Sequence, residues 1–289
     1  MNGIAAALGV GLHGLAFAMV LYLISVGLSV TMGMMGFVNL AHGVFAMAGG
    51  YIVTNLINRY GVSLPPAIAM AAVAVAVLSL PIERLLYRRL YGGDELDQVL
   101  LTMGLVFMSG AAAQYLFGAL QQPLRLPPAL SGGLRVGIAE VSAYAAMLIV
   151  CGVVLVTGLW LGVERSRFGA KIRAAVDNLR MAQSLGIDTS RLFSLTFALG
   201  SGLAALGGGL GAALITISPG YALDNLVYFL VVVALGGLGN IRGPFFAALL
   251  IGLADSACKY LIPQFGAFLI YAMTMAILLW RPRGLFGRV

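Results

Sequence analysis

"TMGMMGFVNLAHGVFAMAGGYI", Thr31–Ile52, sets one amide, Asn39, and one imidazole, His42, among glycines and apolar residues with no charged side chain nearby. Two readings compete: a reactive cluster, or a bend in a chain whose surroundings are apolar. Composition separates them. Apolar residues make up 61% of the 289, charged residues 9%, and mean hydropathy is +1.01, whereas a water-soluble domain carries about 25% charged residues. The first charged side chain is Arg59, and further uncharged runs cover 98–124, 141–163, 192–223, 225–241 and 260–280. A helix crossing the hydrocarbon core of a bilayer needs about 20 apolar residues. Several of these runs suffice, so the chain reads as a polytopic membrane protein.

The runs are continuously apolar and rich in Ala, Leu, Gly and Met. They lack the alternation of a β-barrel, which makes the fold class all-α, a transmembrane helical bundle. Spans are expected near 9–31, 44–58, 64–82, 98–118, 141–163, 192–214, 226–236, 244–261 and 266–281. The first has no basic flank and is too long for a cleaved signal peptide. The seventh is too short to cross unless tilted or continued through the following glycines, giving eight or nine crossings of a single transmembrane domain over 1–289. The turn-rich connection 119–140 suits a small ordered cap.

The net charge of +7 follows topology rather than nucleic acid. Arg84, Arg88, Arg89, Arg165, Arg167, Lys171, Arg173, Arg180, Arg191, Arg242, Arg281, Arg283 and Arg288 fall on one face if the spans alternate. Only Arg59, Arg125, Arg135 and Lys259 fall on the other. The positive-inside bias makes the first face cytoplasmic, with the N-terminus outside and the C-terminus inside. Cys151 and Cys258 both lie in apolar segments, without metal-ligand spacing, and read as packing residues.

Two short stretches echo each other. "GMMGFVNLAHG" (33–43) and "GGLGNIRG" (236–243) each follow an apolar run, hold paired glycines and an Asn, and open another span. Glycine-interrupted segments in corresponding places mark the binding region of many transporters. Gly33, Gly36, Asn39, His42, Gly43, Gly236, Gly237, Gly239 and Asn240 are therefore candidates for a translocation path or hinge. For His42 the alternatives are a path-lining hydrogen bonder and a buried neutral imidazole holding a freed backbone carbonyl.

The longest polar stretch is 164–191. Within it Ile172, Ala175, Val176, Leu179, Ala182 and Leu185 recur at helical spacing. Gly186 stands where that helix would end, and Asp188 or Thr189 can cap the next. Spacing alone fits either an interfacial helix on lipid headgroups or a docking knob for a cytoplasmic partner.

"RAAVDNLRMAQSLGI" resembles the cytoplasmic coupling motif of ABC importer permeases. With "GFVNLAHG", "FAMAGGY", "LGGLGNIRGPFFAALLIGLAD" and the closing "LLWRPRGLFG", the chain resembles, over nearly its whole length, the branched-chain amino acid permeases of the LivH/LivM type. The resemblance implies coupling through Arg173, Ala174, Ala175, Asp177, Leu179, Ala182 and Gly186. It also implies a bacterial cytoplasmic-membrane permease subunit, not an enzyme, that imports branched-chain amino acids or a related amide, urea or carboxylate. The implied partners are a second permease (LivM-like) or a second copy, two cytoplasmic ATPase subunits that bind ATP and Mg, and an extracytoplasmic solute-binding protein. The family often carries Glu near Asp255, so the role of that residue stays open.

The chain itself has no phosphate-binding loop: "FGAKIR" lacks the glycine loop and the hydroxyl after Lys. "LGSG" at 199–202 and the two histidines, His13 and His42, do not fit an intramembrane serine protease. An ion-coupled secondary carrier is the alternative, but such carriers place ionisable groups in their spans. Here the spans offer only His42 and Asp255. These, with Lys259 one helical turn beyond Asp255, read as structural pairs more naturally than as an ion path.

Overall fold

The computed structural model describes residues 3–136, 139–281 and 284. Pro282, Arg283 and 285–289 of the closing motif lie outside the described residues. Helices stand at all nine expected places: α1 (Gly3–Met35), α2 (His42–Tyr60), α3 (Leu64–Leu85), α4 (Glu95–Phe117), α5 (Ala143–Arg165), α8 (Thr189–Gly211), α10 (Leu226–Gly236), α11 (Arg242–Leu261) and α12 (Gly266–Trp280). Between α5 and α8 lie α6 (Arg167–Asp177) and α7 (Leu179–Ser184), and before α10 a single turn, α9 (Tyr221–Asp224). Among the described residues six helices, α1, α3, α4, α5, α8 and α11, are long and apolar enough to cross a membrane. The fold is an all-α membrane bundle.

Burial sorts these helices. In their most apolar windows α1 is 83% and α8 72% buried, against 22, 17 and 11% for α3, α4 and α5. The last three turn Val73, Leu100, Phe107 and Val154 outward, the reverse of a water-soluble fold and the arrangement suited to lipid or a neighbouring subunit. The central pair packs through small residues, which let backbones approach where hydrophobic burial cannot drive association. A Cβ at Gly27 of α1 would lie 2.5 Å from the Gly200 carbonyl oxygen of α8. Gly14 and Gly252 bring α1 onto α11 in the same way, and Gly49 fits α2 against Ala205.

Local chemistry fixes the ends. Pro residues occupy the first turn of α3, where a missing N–H is harmless. Glu95 and Asp97 open α4, favourable beside its positive dipole end. As expected, Asp188 caps α8, accepting from the Arg191 amide at 3.0 Å. The described residues of the connection 119–140 are held by hydrogen bonds. Asn58 donates to the Pro123 carbonyl and accepts from Arg125 N, Gln122 N donates to Ile217 O, and β1 (Gly133–Val136) pairs antiparallel with β2 (Ala139–Ser142).

The polar segment departs from expectation. One helix over 172–185 was predicted, but the chain breaks at Asn178, whose side chain accepts from Met181 N and starts α7. Asn competes for its own backbone and favours helix starts over interiors, so it ends one helix and opens the next. Gly186 closes α7 at φ 80°, a conformation that glycine adopts without penalty.

Candidate functional site

The two glycine stretches meet. Ser29 Oγ donates to the carbonyls of Gly237 (3.0 Å) and Asn240 (3.1 Å), and Gly239 N donates to Ser29 O at 2.9 Å. Gly33 lies so close that a Cβ on it would overlap the Gly239 backbone. Gly239 has φ 70°, and on its other side stands α6: a Cβ at Gly239 would lie 2.6 Å from Val176 Cγ1. The polar segment between α5 and α8 thus touches the second glycine turn directly, and that turn touches the first stretch.

The echo extends to hydrogen bonding. Asn39 Oδ1 accepts from Ala41 N (3.1 Å), and Asn240 Oδ1 from Arg242 N (2.9 Å). In both cases an Asn caps the backbone two residues on, just ahead of a helix, as short amide side chains do in turns.

His42 fixes the geometry of the first break. Its Nε2 lies 3.0 Å from the Ile24 carbonyl oxygen, and the residue is 1% exposed. Ile24 precedes the end of α1 at Met35 by eleven residues, about 16 Å along a helix. The connection 36–41 therefore climbs back along α1, and α2 starts beside the middle of α1. Ile24 lies within α1, so the carbonyl is not one freed by the glycines, and the bond braces the start of α2 against α1. The second break mirrors it in depth. A Cβ at Gly43 would come 3.1 Å from the Ala222 carbonyl oxygen and 3.2 Å from Phe229, so α10 begins at the same level and ends against Ser29. Its 11 residues span about 16 Å, half of a bilayer core of about 30 Å. It does not continue through the glycines, because Gly236 turns back onto Gly243 and Pro244.

A cleft of about 1150 Å³ opens at this junction. Gly33 and Gly36 line it from the first stretch, and Gly237, Gly239 and Asn240 from the second. Arg173, Val176 and Asp177 of α6 face it, with Leu230 and Ala234 of α10 as apolar wall. Gly284, from the closing motif, packs beneath the α10 end against Ala234 and Leu235. Asn39, His42, Gly43 and Gly236 lie off the cleft, inside the bundle.

The small-residue stripe is placed differently from expectation. Ile172, Ala175 and Ala182 are 5, 2 and 1% exposed and pack with Val30, Met34, Leu192 and Phe193 of the chain's own α1 and α8. Ala174 and Leu179 are half-buried, and Gly186 is exposed. The outward face of α7 instead carries Met181 (58%) and Leu185 (74%), beside Arg180 and Gln183. A helical period identifies an apolar face but not what covers it.

Sequence reasoning also missed Glu83. Buried at 1% exposure near the end of α3, it accepts from Tyr91 Oη at 2.8 Å and from Ser194 Oγ at 2.6 Å. It was hidden in "PIERLLYRR", which reads as a cytoplasmic basic run. Burial, with the Glu83 carboxylate as a further cause, pushes the Tyr91 phenol well above its ordinary range, so Tyr91 stays a donor. At the opposite end Asp255, buried in α11, pairs with Lys259 at 2.7 Å and accepts from Tyr228 at 3.0 Å. Among the described residues no group of His, Cys, Asp and Glu could hold a metal ion.

The model of the family described as branched-chain amino acid transport system / permease component matches residues 11–278. The chain belongs to that permease family. It is 30% identical to the high-affinity branched-chain amino acid transport system permease protein BraD of Pseudomonas aeruginosa, covering 96% of this chain and 94% of the relative. It is 26% identical to LivH of Escherichia coli K12, with the same coverage. A probable branched-chain amino acid transport permease protein LivH of Methanocaldococcus jannaschii is 27% identical over 94% of this chain and 90% of that one. No solved structure matches the chain.

Proposed function

We propose that this permease is the membrane-spanning subunit of an ATP-driven ABC importer and forms the path for branched-chain amino acids or a closely related small polar solute. The relatives, whose names specify branched-chain amino acid transport, support the substrate class. The observation that carries the mechanism is the contact chain Val176–Gly239–Gly33. Through it a displacement of the polar segment reaches both glycine breaks without an intervening flexible link. In this reading the 164–191 segment faces the cytoplasm, with the C-terminus on the same side and the N-terminus outside. Two ATPase subunits, holding ATP and Mg, engage the outward face of α7 through Met181 and Leu185. A second permease, LivM-like or a second copy, completes the path, and an extracytoplasmic binding protein delivers the solute.

An ion-coupled carrier needs ionisable groups free to change partners along the path. Asp255 is held by Lys259 and Tyr228, and Glu83 by two hydroxyls, which favours the partner ATPase. Cysteine cross-linking in membranes tests this. Leu185→Cys should cross-link to an ATPase subunit, whereas Ala175→Cys, 2% exposed, should not. Uptake that survives ATP depletion and collapses with the ion gradient would overturn the proposal.

A further inference from the structure

Glu83 sits in a network of hydroxyls and rings that joins three separate parts of the chain. Its two carboxylate oxygens serve different elements: Oε2 accepts from Ser194 in the second turn of α8, and Oε1 from Tyr91 in the α3–α4 connection. Beyond the carboxylate the contacts continue without a gap. The Tyr91 ring packs edge-on to Phe193 of α8 and to Phe37 of the first glycine stretch, at 5.6 and 6.0 Å. Tyr87 packs on Phe37 and on Phe197 of α8, and its hydroxyl donates to Asn39 Oδ1 at 3.0 Å. Val38 N donates to Gln98 Oε1, and Gln98 Nε2 in turn to the carbonyls of Leu90 and Gly93. The 36–41 connection, which leads into α2 at His42, is thus held by the α3–α4 connection, and that connection is held to the start of α8 through Glu83.

The start of α8 is also where the polar segment is anchored. Ala182 of α7 packs with Leu192 and Phe193, next to Ser194. A buried carboxylate is a costly way to join helices, and an apolar residue of similar volume is often at least as stable. A carboxylate is, however, a strong acceptor for two hydroxyls at once, and that gives a joint with defined length and direction.

We infer that Glu83 is a positioning residue for transport, tying the first turns of α8 to the 36–41 connection so that movement of α7 is delivered to the start of α2. This carries coupling to Phe37, Val38 and Asn39 of the first glycine stretch, beyond Gly33, the residue reached through Val176 and Gly239. It rests on the ATP-driven reading above, and the experiment separates the two.

The test uses the assembled transporter in proteoliposomes and measures solute moved per ATP hydrolysed, a ratio that a merely structural role leaves unchanged. Wild type comes first: transport that does not depend on ATP sinks the importer reading itself. With ATP dependence established, Ser194→Ala and Tyr91→Phe each remove one hydroxyl, and each should lower the ratio about tenfold or more, the worth of one hydrogen bond to a charged group. Glu83→Ala should lower it at least as far, and adding Ser194→Ala to Glu83→Ala should change it no further. If the hydroxyl variants keep the wild-type ratio, the inference is overturned. It is equally overturned if transport and hydrolysis fall together with the amount of assembled complex, or if the Glu83 and Ser194 effects multiply as independent ones do.

Discussion

Gly27→Ala offers the sharpest test of the packing on which this bundle rests. The added Cβ would stand 2.5 Å from the Gly200 carbonyl oxygen, 2.7 Å from its Cα and 2.9 Å from its carbonyl carbon. All three are backbone atoms, so no rotamer change relieves them. Restoring ordinary contact requires α1 and α8 to part by about 0.9 Å, enough to forfeit a quarter to a half of each dispersion contact along the crossing. The helices involved are the two most buried, which places the cost near the upper part of the roughly 1–3 kcal/mol typical of overpacking. The same substitution at Gly11, also in α1, meets nothing within 4 Å. Both variants gain the same helix propensity, about 1 kcal/mol, so their difference isolates the steric cost. Thermal denaturation of the detergent-solubilised permease, followed by loss of the monodisperse species, should put Gly27→Ala roughly 5 °C or more below Gly11→Ala. Equal midpoints would refute the claim that the α1–α8 crossing is held at backbone contact.

Three further outcomes follow from named contacts. Lys259→Met leaves the Asp255 carboxylate, 4% exposed, without its cation, and should lower the thermal midpoint more than Asp255→Asn, which removes the charge as well; the reverse order would mean that the pair is not buried in the membrane-embedded protein. His42→Ala removes the bond to the Ile24 carbonyl at 3.0 Å and should cost about 0.5–1.5 kcal/mol of stability while uptake per folded permease holds; lost uptake at unchanged stability would make His42 a path residue. Asn178→Ala removes the cap of α7, worth about 1 kcal/mol, and should speed tryptic cleavage after Arg180, whereas Asn178→Asp should not.

Where the sequence could be read, the reason was solvent. Runs without charge have to be helices in lipid, which is why the expected 226–236 and 244–261 agree so closely with α10 and α11. The glycine echo was also visible, because paired glycines and an Asn ahead of an apolar run stand out in a single chain. That the two copies touch was not visible. Ser29 and Gly237 are separated by 208 positions, and no local pattern encodes such a meeting. The polar segment misled for a different reason: periodicity in 172–185 is real, but Asn178 overrides it locally through its own hydrogen bond. Glu83 was obscured by its neighbours, since one carboxylate beside three arginines looks solvated until α8 is laid over it.

The two contacts that reach the first glycine stretch differ in kind, and the difference bears on how the stretch can move. On one side a single Ser29 hydroxyl faces two carbonyls, Gly237 and Asn240, at nearly equal distances of 3.0 and 3.1 Å. One proton cannot serve both fully, so the turn can shift toward either carbonyl while keeping a bond. Apart from the Gly239 N–H bond to Ser29 O at 2.9 Å, the contacts around it are glycines and Val176, which impose shape but no direction. On the other side Glu83 meets two separate donors with its two oxygens, and any displacement that favours one stretches the other. Under the proposed mechanism, a tolerant joint at 237–240 and a directional one at Glu83 would let the stretch between α1 and α2 tilt about the Ser29 contact as α8 moves. Two rigid joints would lock it, and two tolerant ones would dissipate the motion.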